Sequence, residues 1–199
     1  MRNVAKLIVL TAILALSAPF GLMAQECPPI KDRTWHDLGI IGGKTALYRP
    51  VTTEERNAVM DVLSLYAWAM DNRDSTTLSD LFTDEGEYFL CRMDSTTPLA
   101  SASKPGNITV HFDGIFATLN LSQAVARRVF SNVLMGKRST DEIDVMLSVV
   151  VFIQSLNISH PQIDYTANIF ATLKVSGTVW KLKIFKVITD DTGISIRAR

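Results

Sequence analysis

From Ala126 onward the chain is written in four long β-rich runs, 127–135, 143–154, 164–175 and 179–189, divided by short stretches of turn residues. Strands of this length, so closely spaced, bury their apolar faces by pairing into one sheet, and the short connections predict antiparallel neighbours. A sheet of that size needs cover on one face, and the residues before it supply that cover. Thr52-Thr53-Glu54-Glu55 has the form of a capping box, in which a hydroxyl and a carboxylate each satisfy a backbone amide at a helix start. Val59, Val62, Leu63, Tyr66, Ala67 and Met70 follow at helical spacing. Asp71-Asn72-Arg73-Asp74 ends that helix, and Asp74 can cap a second one running through Leu78, Leu81 and Phe82. Thr83-Asp84-Glu85-Gly86 reads as a turn, Tyr88, Leu90 and Cys91 as a strand, residues 92–107 as a polar loop, and 112–119 as a third short helix. Helices first and strands afterward predict an α+β domain.

The ends of the chain read differently. Arg2 and Lys6 precede an apolar run over residues 7–18, and small Ala24 stands just before polar Gln25 and Glu26, the pattern of a secretory signal peptide over residues 1–24. The apolar run is too short for a comfortable bilayer span, so a secreted or periplasmic protein with no membrane attachment after cleavage is expected. Residues 25–50, with Pro28, Pro29 and three glycines, read as an N-terminal arm, 51–190 as the single folded domain, and 191–199 as a C-terminal tail.

Charge and cysteine content narrow the function. Twenty basic residues balance twenty acidic ones, which argues against a nucleic-acid partner, since phosphate binding needs a basic excess. Cys27 and Cys91 are the only cysteines. Export would place them where a disulfide persists, the alternative being two unpaired thiols. His36, His111 and His160 are too scattered for metal-ligand spacing, and there is no phosphate loop or dinucleotide fingerprint, so neither a metal nor a cofactor is expected. Asn107, Asn120 and Asn157 head N-x-Ser/Thr sequons, which are glycan acceptors only in a eukaryotic host.

Three segments carry a resemblance. The run from Tyr66 to Asp74 followed by Leu81-Phe82-Thr83-Asp84-Glu85-Gly86 resembles the first helices of SnoaL-like domains. Arg127-Arg128-Val129-Phe130-Ser131-Asn132 resembles their first long strand, and Thr178-Val179-Trp180-Lys181-Leu182-Lys183-Ile184 their closing strand. The resemblance covers roughly Val51 to Asp190. It implies the nuclear transport factor 2-like architecture: a cone-shaped, curved antiparallel sheet packed against N-terminal helices, with a pocket between them.

What the resemblance implies for the site is more divided. Asp71 matches the pocket aspartate of the dehydratases in this group. A carboxylate in the last turn of a helix faces the negative end of the macrodipole, so it is either a functional group with a compensating partner or a solvated turn residue beside Arg73. Tyr66 falls where ketosteroid isomerases place an oxyanion-binding phenol, but their general base would fall at Leu90, which cannot accept a proton. Arg128 stands where the dehydratase-like members usually have a histidine, and arginine cannot serve as an ordinary general base. Strand alternation puts Arg128, Phe130, Asn132 and Leu134 on one face, which is either the inside of the cone or the surface. Asp71, Tyr66, Arg128 and Asn132 are thus the catalytic candidates, and Tyr88, Phe130, Thr166, Asn168 and Trp180 the ligand-binding ones. Three functions compete: a cofactor-independent lyase, isomerase or cyclase acting on a small apolar or polyketide/terpenoid-like molecule; a non-catalytic binder of an anionic small molecule; and a domain that chiefly forms a homodimer through the exposed face of its sheet.

Overall fold

A computed structural model describes residue 27 and residues 49–121, 123–155 and 159–190. The signal peptide, nearly all of the arm, Asn157 and the tail lie outside the described residues.

Helix α1 spans Thr53–Asn72. Its capping box forms in full: Glu55 N–H donates to Thr52 Oγ1 at 3.2 Å, and Thr52 N–H donates to Glu55 Oε2 at 3.1 Å. The helix buries Val59, Val62, Leu63, Tyr66, Ala69 and Met70, the expected stripe with Ala69 in place of Ala67. Arg73 closes it in a left-handed conformation at φ 60°. Helix α2, Ser75–Asp80, starts from the Asp74 cap, whose carboxylate accepts from Thr77 N–H at 2.9 Å.

Beyond α2 the chain departs from expectation. Thr83-Asp84-Glu85-Gly86 is not a turn but part of strand β1, Phe82–Arg92, whose register against its neighbour shifts between Phe82 and Glu87. The turn-forming residues serve an irregularity inside a strand. Gly86 is required there, because a Cβ would sit 2.7 Å from Phe82 Cβ. The presumed polar loop contains a short strand β2, Ala100–Ser103, and the start of helix α3, Pro105–Leu121. Pro105 occupies the first helical position, where its missing N–H costs nothing. Ile108, Phe112 and Phe116, four residues apart, are the buried stripe that continues this helix back past Phe112.

Four strands complete the fold: β3 Val125–Lys137, β4 Glu142–Gln154, β5 Gln162–Ser176 and β6 Val179–Thr189. The six strands form one sheet in the order β2-β1-β6-β5-β4-β3. Hairpin-linked β3 to β6 pair antiparallel as expected, and so do β1 and β2, but β1 runs parallel to β6. No hairpin joins those two strands, so nothing local imposes the antiparallel sense.

The core lies between the helices and the inner face of the sheet. Phe82, Phe112, Phe185, Leu63, Leu147 and Leu182 are among its fully buried side chains. On the outer face a smaller cluster gathers Cys27, Phe89, Cys91 and Ile188. Cys27 and Cys91 are joined there as a disulfide, with Cα atoms 5.8 Å apart.

Candidate active site

The end of α1 and the start of β3 meet at an ion pair. Arg128 Nη1 lies 2.6 Å from Asp71 Oδ1, and both side chains are only 8% exposed. The Arg128 backbone N–H also donates to Asp71 Oδ2 at 3.3 Å. Asp71 is thus held by a guanidinium and a strand amide together, which offsets its unfavourable place at a helix C-terminus. Arg73, the alternative partner, turns elsewhere and donates to Asn120 Oδ1 and the Ala124 carbonyl.

Cross-strand register brings a third group to the pair. Arg128 lies opposite Val151 on β4, and Val151 opposite Tyr165 on β5. The Tyr165 phenol comes close enough to Arg128 for each to act on the other's charge. Burial raises the Tyr165 pKa even though the neighbouring guanidinium works in the other direction. For Arg128 itself burial opposes the charge, but Tyr165, Tyr66 and Asp71 outweigh it and hold its pKa above the ordinary value.

Tyr66 and Tyr88 form the second part of the site. Both are buried, at 3% and 4% exposure, and their phenols lie close enough to influence each other's ionisation. Burial, chiefly, pushes both pKa values well above the usual phenol range, so both remain protonated donors at neutral pH. Phe185 fixes the rings: its centroid lies 4.3 Å from that of Tyr66 and 6.4 Å, stacked, from that of Tyr88.

The remaining expected residues divide by face. Phe130 points inward and packs on the core with Val133 and Met135. That sequence of inward residues breaks strict alternation, because Asn132 takes a left-handed conformation at φ 53° where the β3–β4 register shifts between Ser131 and Leu134. The bulge turns Asn132 and Leu134 outward, into a hollow of about 560 Å³ on the outer face that Asn168 and Phe170 also line. Asn168 accepts from Ser148 Oγ at 3.2 Å, and Thr166 Oγ1 donates to Asp190 at 2.8 Å. Asn132, Thr166 and Asn168 therefore do not join the ion pair. Trp180 packs on the core but stands beside Val175, at the far end of β5 from Tyr165.

Sequence reasoning missed Tyr165 and His111. The His111 ring lies 5.3 Å from Tyr88, and its Nε2 is shut off from water without a hydrogen-bond partner. It lines a second hollow of about 450 Å³ with Glu87, Ser101, Ser103 and Asn107. Neither hollow is lined by Asp71 or Arg128. Among the described residues no three His, Cys, Asp or Glu side chains gather as metal ligands, and no helix is long and apolar enough to cross a membrane.

Burial lowers the His111 pKa below the ordinary 6.5. The unfolded chain then takes up the proton first as pH falls, so the stability due to neutral His111 is present above that value and lost below it. In urea melts from pH 7 to pH 5, His111→Phe is expected to lose stability less steeply than the parent. An unchanged slope would mean that the ring is not protected as drawn.

No protein-family profile matches the chain, and no curated protein sequence does. Solved structures do. ActVI-ORFA from Streptomyces coelicolor superposes with a TM-score of 0.61 at 17% identity, over 69% of this chain and 98% of its own. A candidate scytalone dehydratase from Novosphingobium aromaticivorans gives 0.58 at 18% identity, over 69% and 85%. An NTF2-like protein with a cystatin-like fold from the same organism also gives 0.58 at 18% identity, over 73% and 88%. The chain has the NTF2-like, cystatin-like fold that these structures share, with helices packed on a curved, unclosed six-stranded sheet.

Proposed function

We propose that this protein is an exported, cofactor-independent lyase, isomerase or cyclase that moves a proton on a small apolar or polyketide/terpenoid-like molecule. The observation behind this reading is that a carboxylate, a guanidinium and three phenols lie together between the helices and the inner face of the sheet, in otherwise apolar surroundings. The resemblance to a candidate scytalone dehydratase supports the reaction class, and the disulfide is compatible with the export implied by residues 1–24.

In this mechanism Asp71 is the proton acceptor, and Arg128 and Tyr165 donate to the oxygen on which negative charge develops. A carboxylate paired with a guanidinium is a weaker base than a free one. Arg128 must therefore share its donors with the substrate oxygen as the proton leaves carbon. Stabilising that oxygen lowers the barrier and also releases part of the hold on Asp71. Tyr66 and Tyr88, kept protonated, supply further donors.

The test is solvent deuterium exchange into a panel of enolisable ketones and phenolic polyketide fragments, followed by NMR. Asp71→Asn, which keeps shape and loses basicity, is expected to cut exchange by roughly 10²-fold or more. Unchanged exchange would remove Asp71 from the mechanism. The same ion pair also favours a second reading, a non-catalytic binder of a small anion, because pairing quiets the base. In that case a carboxylate or phenolate ligand stabilises the protein and is recovered unaltered.

A further inference from the structure

Strand β2 ends the sheet on one side, and among the described residues only β1 pairs with it. Lys104 N–H donates to the Gly86 carbonyl at 2.8 Å, which sets the phase of that ladder. Antiparallel pairs alternate between those that exchange backbone hydrogen bonds and those that do not. Ser103 opposite Glu87 and Ser101 opposite Phe89 therefore belong to the second kind, and both direct their N–H and C=O away from β1. Among the described residues no backbone group bonds to either serine from that side. Sheet edges are commonly guarded by lysine, proline or a bulge, yet β2 reads Ala-Ser-Ala-Ser and carries none of these.

A hollow of about 450 Å³ lies along this edge. Ser101, Ala102 and Ser103 all line it, although consecutive side chains of a strand point to opposite faces, so the hollow meets β2 from its side. The other wall is one stripe of α3, made of Asn107, Val110 and His111 at helical spacing. Val110 is 71% exposed, so this stripe is open to a partner. Glu87 lines the hollow from the outer face of β1, because its neighbour Tyr88 points into the core. No ion pair among the described residues engages Glu87. A strand seated along β2 would turn one side chain toward Val110 and the next toward Glu87. A hollow this small, bounded by a helix, admits a single strand rather than the edge of a second sheet.

We propose that the groove between β2 and α3 binds an extended peptide by adding it to the sheet edge, with apolar side chains toward Val110 and basic ones toward Glu87. The probe is the peptide fluorescein-Val-Lys-Val-Lys-Val-Thr-amide, titrated against the full mature chain and followed by fluorescence anisotropy. Saturable binding with a Kd below about 1 mM is expected. N-methylation of one alternate set of peptide amides is expected to weaken binding ~10-fold or more, and of the other set to leave it nearly unchanged, because only one set faces β2. Ser101→Pro removes an outward N–H without touching the β1 ladder, so it is expected to keep the parent's melting temperature and lose binding to the same degree. The methylation comparison uses the parent alone and decides the matter if that variant fails to fold. Absence of saturable binding, equal effects of the two methylated sets, or full binding by a folded Ser101→Pro variant would overturn the proposal. So would self-association of the parent that Ser101→Pro abolishes, which would assign the edge to a second copy.

Discussion

Arg128→Ala is expected to lower the midpoint of thermal unfolding by roughly 10 °C, far more than removing an arginine from a surface would. The reason is what it leaves behind. Breaking one half of a buried pair costs about 3–5 kcal/mol, because the surviving charge is desolvated without compensation. In a domain of this size each kcal/mol moves the midpoint by about 2–4 °C. The stranded group would be Asp71, 8% exposed, at the negative end of α1, with only the residue 128 amide left to meet it. Asp71→Asn combined with Arg128→Gln removes both charges and keeps hydrogen-bonding groups in place, so it is expected to recover most of the loss. Melting curves for the parent, Asp71→Asn, Arg128→Gln and the double variant form the cycle that isolates the coupling. Additive losses would show that the two side chains act independently.

Replacing Cys27 and Cys91 together by serine is expected to cost about 4 kcal/mol, from the chain entropy released when a closed loop of this size opens in the unfolded state. The bonded cysteines are 64 residues apart in sequence, a long loop for a domain of this kind. Both sulfur-bearing side chains are fully buried beside Phe89 and Ile188, so the serines would also leave polar groups in an apolar cluster. Urea titration of the oxidised parent and the variant measures the difference. A loss below about 1 kcal/mol would mean that the reduced chain already holds the cysteines together.

The fold was largely legible because its strongest signals are periodic. The α1 stripe, the Thr52–Glu55 box and the β3–β6 runs all rest on many residues agreeing. The errors arose where a few residues signal against their surroundings. Thr83-Asp84-Glu85-Gly86 carries turn chemistry but sits in a bulged strand, and Gly106 and Asn107 masked the first turns of α3. The candidate site was legible up to Asn132. Alternation from Arg128 through Phe130 held, and a single left-handed residue then reversed it, which no count by twos anticipates. Tyr165 went unseen because its place beside Arg128 depends on the registers of two strand pairs. The parallel β1–β6 contact was hidden for the same reason, since it joins strands far apart in sequence.

That contact also orders events in time. β1 emerges early, but its position in the sheet is against the last strand, β6, and its other neighbour, β2, is only four residues long. A nascent chain that has reached β5 can assemble the β3–β5 meander from local contacts, yet it still lacks the long strand against which β1 pairs. Closing this domain therefore waits for the C-terminal strand. Until then the edge of β1 that β6 will pair stays open to whatever machinery accompanies the chain.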